Sequence, residues 1–105
     1  MVTPEANYGL MAKAVMPKGT LPDENWHYST TPGYTEWMYK SGTSSDDVTS
    51  YYYAIPLYIE FVAKTEAERA VGIEMLRNTT DYIMQYDWYL INIDWKPTHW
   101  GFWNP

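Results

Sequence analysis

The sequence predicts a mainly α domain. An antiparallel helical hairpin over residues 44–87 follows a long irregular, aromatic-rich N-terminal arm (1–43) and precedes a small C-terminal β-hairpin with an aromatic tail (88–105). Three observations lead there. Apolar residues recur at helical spacing from Val48 to Tyr86, two capping-box patterns mark helix starts, and most Pro and Gly residues lie before residue 45. A length of 105 residues fits one domain and leaves little room for a second.

In the arm, Glu5 to Val15 is the one periodic piece and reads as a short helix stopped by Pro17. From Lys18 to Thr43 there is no stable period, only polar residues punctuated by Trp26, Tyr28, Tyr34, Trp37 and Tyr39. A structureless loop of ~25 residues is uncommon inside a compact domain, so this arm is either laid over another surface or a ligand-contacting loop. The first helix starts at Ser44-Ser45-Asp46-Asp47, a capping-box-like run with carboxylates where a helix N-terminus favours them. Val48, Tyr52, Ile55, Ile59 and Val62 then line one face, while Pro56 removes a backbone donor and predicts a kink or break near Tyr52. Thr65-Glu66-Ala67-Glu68 opens the second helix, which runs to about Gln85. Gly72, Leu76, Thr79, Ile83 and Tyr86 line one of its faces, and Glu66, Glu68, Arg69, Glu74 and Arg77 fall largely opposite. The short turn at Ala63–Thr65 makes the two helices antiparallel. Beyond them, Tyr89, Ile91 and Ile93 alternate with Leu90, Asn92 and Asp94 before a turn at Lys96-Pro97 and a second run, Thr98-His99-Trp100. That pattern is a β-hairpin, which needs something to pack on.

Charge and composition remove several function classes. Seven Lys and Arg against thirteen Asp and Glu give a net charge of −6 with no basic cluster, a poor match to nucleic acid or anionic membranes. The absence of Cys excludes disulfides, Cys-ligated zinc and thiol nucleophiles. No apolar run approaches the ~20 residues of a membrane span, and the first residues lack a signal-peptide pattern. His27 and His99 are too few and too far apart for a metal site, and no phosphate loop or nucleophile elbow occurs, so no cofactor is implied. Asn78-Thr79-Thr80 matches a glycosylation sequon inside a helix and reads as a chance match.

Two groups of residues could carry chemistry. Asp46 and Asp47 are the candidate catalytic acids, since glycoside hydrolysis needs two carboxylates across one bond. Adjacent helical residues point ~100° apart, so a second acid such as Glu36 or Asp87 would have to complete the pair. The other reading is that both acids are simply helix N-terminal charges. Trp26, Trp37, Tyr39, Trp95, Trp100 and Trp103 are the candidate ligand-binding residues, because large stiff rings beside acids and amides suit sugars. Equally, they could pack the loops onto the helices or cover a neighbour. In Tyr51-Tyr52-Tyr53, Tyr52 continues the apolar stripe, whereas Tyr51 and Tyr53 meet another surface or water.

The stretch from Gly9-Leu10-Met11-Ala12-Lys13-Ala14-Val15 through Trp26-His27-Tyr28-Ser29 to Thr43-Ser44-Ser45-Asp46-Asp47 resembles a poorly characterised family of bacterial and environmental proteins. So does the tail, Tyr89-Leu90-Ile91-Asn92-Ile93-Asp94 with Lys96-Pro97-Thr98-His99-Trp100-Gly101-Phe102-Trp103-Asn104-Pro105. The resemblance implies one helical hairpin and its loops from a longer α/α toroid of the six-hairpin glycosidase type. Three departures stand out: Ser41-Gly42 replaces Gly-Asp, Ser50-Tyr51 replaces Gly-His, and Trp95 takes the place of a turn glycine. Two polar groups useful to catalysis are thereby lost. The functional expectation is a self-associating structural or interaction module, forming a homo-oligomer or larger assembly. The alternative is a carbohydrate-binding or glycoside-cleaving toroid piece using Asp46 and aromatic platforms.

Overall fold

In the computed structural model, which describes residues 1–105, three short segments of the arm pair into a sheet. They are β1 (Ala14–Pro17), β2 (Trp26–Tyr28) and β3 (Trp37–Lys40), all antiparallel, with β3 in the middle. Then come α1 (Ser45–Leu57), α2 (Glu66–Gln85) and a two-stranded hairpin of β4 (Tyr89–Ile91) and β5 (Pro97–Phe102). The fold is therefore mixed α/β, 39% helical and 19% strand, and corrects both the mainly α expectation and the all-helical toroid resemblance. The reason lies in β3. Its successive residues Met38 and Tyr39 point to opposite faces and are both buried, so the strand shows no alternation to read.

The expected helix over Glu5 to Val15 is not formed. Only Glu5–Asn7 makes a single 3₁₀ turn, and Ala14 already belongs to β1. Gly9 sits at φ +109°, outside the range of a right-handed helix. Residues 2–12 run instead as an irregular strap, and a backbone without ladder partners has to satisfy its carbonyls otherwise. Side-chain hydroxyls do so one by one. Ser29 donates to the Val2 carbonyl (2.7 Å), Thr31 to Thr3 (2.8 Å) and Thr79 to Gly9 (2.8 Å). Thr3 donates to Leu10 (2.7 Å), Thr43 to Met11 (2.6 Å) and Tyr51 to Ala12 (2.5 Å). This explains why Thr3, Ser29, Thr31, Thr43 and Thr79 are buried although polar. Where the strap crosses α2, a Cβ on Gly9 would overlap the Asn78 carbonyl oxygen and lie 2.7 Å from Tyr82 Cβ.

Both helices begin at their capping residues. Ser44 Oγ accepts the Asp47 N–H while the Ser44 N–H donates to Asp47 Oδ2 at 2.8 Å, and Thr65 Oγ1 accepts the Glu68 N–H at 3.1 Å. No break occurs at Tyr52. α1 runs through Pro56 to Leu57 and only then widens into a π turn over Tyr58–Val62, closed by the Ala63 N–H on the Tyr58 carbonyl. Gly72 lets α2 approach that turn, since a Cβ there would stand 2.8 Å from Ile59 Cγ1. The central cluster is small: Leu10, Val48, Tyr82, Ile83 and Leu90, with Tyr86, Ile91 and Ile93 against it.

After α2 the backbone turns left-handed twice, at Asp87 (φ 58°) and Trp88 (φ 66°). Trp95 (φ 63°) does so in the β4–β5 turn, and Trp100 (φ 60°) in β5. β5 carries the extra residues of an irregular pairing, from Ile91↔Pro97 to Tyr89↔Phe102, and Trp100 lies within them. Three of the six tryptophans thus occupy a conformation that ordinarily selects glycine or asparagine. No helix is long and apolar enough to cross a membrane.

Candidate functional site

Two open grooves flank the helical hairpin. The first, about 840 Å³, is lined by Val48, Thr49, Tyr52 and Tyr53 of α1, Thr80 and Ile83 of α2, and Trp88, Trp103 and Pro105 beyond them. Tyr52 and Thr80 share a hydroxyl–hydroxyl hydrogen bond across it. The Trp103 N–H donates to the Trp88 carbonyl at 2.7 Å, which ties the tail to the residues that end α2. The second groove, about 560 Å³, lies between the three-stranded sheet and the opposite side of the hairpin. Val15 and Trp37 from the sheet meet Ile55, Val71 and Met75 from the helices there, and twelve of its thirteen lining residues are apolar. No carboxylate, imidazole or other charged side chain lines either groove.

The candidate acids sit elsewhere. Asp46 is exposed in the first turn of α1, and its backbone carbonyl accepts the Ser50 hydroxyl at 3.0 Å. Asp47 is spent on the helix cap and faces Lys13 Nζ at 3.6 Å. Burial pushes the Asp47 carboxyl up, but hydrogen bonds from Ser44 and the Lys13 charge outweigh it and hold the group below its ordinary value. A general acid needs the opposite shift, so this position favours a carboxylate that stays ionised. No cluster of three or more His, Cys, Asp or Glu side chains could hold a metal ion.

The aromatic candidates divide. Trp26 and Tyr39 are buried in the sheet, Tyr39 at 3% exposure with His27 packed on its ring, so neither offers a free face. Trp37 lines the second groove and Trp103 the first. Trp95 packs edge-on against Tyr86, and Trp100 edge-on against His99; both remain exposed and line neither groove. Sequence reasoning did not single out Thr49, Thr80 or Trp88. The spacing of Tyr52 and Tyr53 on α1 with Thr80 and Ile83 on α2 becomes a groove only once the tail is folded back over both helices. Burial raises the Tyr51 phenol, with the Asp47 charge adding to it, and burial raises that of Tyr82. Both stay protonated and donate, to the Ala12 and Ile91 carbonyls.

Comparison with known proteins returns no match: no family model fits the chain, and neither a curated protein nor a solved structure is similar to it. The toroid resemblance therefore has no family support, and the two sheets overturn it as a description of the fold.

Proposed function

We propose that this chain is an interaction module that works by associating with further copies of itself. The observation that supports the reading is the imbalance of its apolar surface: twenty large apolar side chains stand exposed, against ten apolar residues buried. Phe61, at 77% exposure, and Val62 occupy the tip of the helical hairpin, while Val15, Trp37, Val71 and Met75 open the hydrocarbon groove beside the sheet. The molecule is also flat, 39 × 37 × 21 Å. Its accessible surface of 6806 Å² exceeds the ~6100 Å² expected of a compact chain of this mass. The surplus, roughly 700 Å², is close to the ~800 Å² that each partner buries in a standard interface.

Analytical ultracentrifugation from low to high micromolar concentration tests the reading. The expected result is a mass rising above the 12.3 kDa of one chain, and rising further with salt, because each copy carries a charge of −6 that opposes contact. Phe61→Lys and Val71→Lys, both at exposed helical-hairpin positions, should return the mass to that of a monomer. A mass that stays at one chain throughout counts against the proposal.

A further inference from the structure

We propose that the groove between the helical hairpin and the C-terminal tail binds a neutral saccharide, independently of whether the chain associates. The chain carries twenty charged side chains, yet none lines this groove. A phosphate or a carboxylate would find no counter-charge among its side chains. What the groove offers is ring surface from Tyr52, Tyr53, Trp88 and Trp103 interleaved with the Tyr53 hydroxyl and with those of Thr49 and Thr80, which donate to the Ser45 and Leu76 carbonyls and keep lone pairs that accept from a ligand's hydroxyls. A sugar ring matches that mixture, with apolar C–H faces for stacking and hydroxyls at its edge for hydrogen bonds. The opposite groove offers less of that mixture: most of its lining is aliphatic or thioether, and two of its three hydroxyls, those of Thr3 and Tyr51, donate to the Leu10 and Ala12 carbonyls. A volume of about 840 Å³ lies within the ~300–1,000 Å³ of ordinary small-molecule sites.

A second observation concerns the backbone. Trp88 is the second of two consecutive left-handed residues, a place where glycine relieves strain and an indole does not. The largest side chain stands where the smallest would fold with least cost, and it lines the groove. Of the three left-handed tryptophans it is the one that lines a groove, since Trp95 and Trp100 lie outside both.

That backbone also makes the test clean, because Trp88→Gly deletes the ring at a position that accepts glycine. The full chain is titrated with cellohexaose, maltohexaose and hexa-N-acetylchitohexaose, following tryptophan emission and the amide resonances of Thr49, Thr80 and Trp88. At least one of these neutral oligosaccharides should give a saturable change. Trp88→Gly should weaken it about tenfold, the loss of one aromatic contact, with an unchanged far-ultraviolet circular dichroism spectrum. Tyr53→Ala is the second variant, since Tyr53 is 73% exposed and its truncation leaves the packing intact; it should weaken binding severalfold. The proposal is overturned if none of the three sugars moves those resonances at millimolar concentration. It is equally overturned if both variants bind as tightly as the original chain.

Discussion

Gly9→Ala tests the crossing of the strap over α2 more directly than any other single change. Two costs combine at this position. A side chain at φ +109° meets the left-handed penalty, about 1–2 kcal/mol. The new methyl also collides with the Asn78 carbonyl and Tyr82 Cβ, both on a helix that cannot easily retreat. Overpacking of that kind adds about 1–3 kcal/mol. The total, roughly 3 kcal/mol, is a large share of the ~5–15 kcal/mol that stabilises a domain. Gly42→Ala supplies the control. Gly42 also has a positive φ, +80°, but a Cβ there meets nothing within 4 Å, so only the backbone penalty of about 1–2 kcal/mol applies. In urea denaturation followed by circular dichroism, Gly9→Ala should lose about twice what Gly42→Ala loses. In thermal melts the shifts should be roughly 12–24 °C and 6–12 °C. Equal losses would refute the close approach, because they would leave strain alone as the cause.

Thr79→Val keeps the shape of the buried side chain but leaves the Gly9 carbonyl without its donor; urea denaturation should register a loss of about 1–3 kcal/mol, and no loss would show that water serves that carbonyl instead. For Asp47, the folded-state pKa lies below the unfolded value, so its stabilisation is present above about pH 4 and fades as the pH falls through the folded value. Asp47→Asn should therefore cost about 1 kcal/mol near neutrality, the worth of a helix cap, and the gap between the urea midpoints should close as acid protonates the original carboxyl. A gap that widens in acid would reverse the sign argument. At Trp100, φ +60° and 61% exposure predict that Trp100→Gly is more stable than Trp100→Ala by about 1 kcal/mol, opposite to their order in a helix; calorimetry of the two variants decides it.

The helix starts were legible because caps are written in adjacent residues: Ser44 with Asp47, and Thr65 with Glu68. The sheet was not. Its strands have four, three and four residues, too few for any period to repeat, and the central one is buried on both faces. Leu10, Met11, Ala14 and Val15 do fall at helical spacing, but hydroxyls supplied from Thr79, Thr43 and Tyr51 fix this stretch from a distance that local pattern cannot see. The site was hidden in a different way. Trp88, Trp95 and Trp100 adopt left-handed backbone without the Gly or Asn that signals it, so nothing in the sequence marks how those rings are presented. The aromatic candidates Trp37 and Trp103 reach grooves, whereas Trp26 and Tyr39 went to the sheet core, a division set by which strand neighbours cover each ring.

The hydroxyl-held strap has a consequence for the order of assembly during synthesis. Gly9 leaves the ribosome 70 residues ahead of Thr79, the residue that caps its carbonyl, and Asn7 75 residues ahead of Tyr82. At ~5–20 residues per second that is an interval on the order of 4–14 s, in which the Gly9 carbonyl has only water to serve it. The β1–β3 pairing and α1 have time to form within it, while α2 is still being completed. The strap is therefore seated on α2 only after the elements that lie between them in the chain.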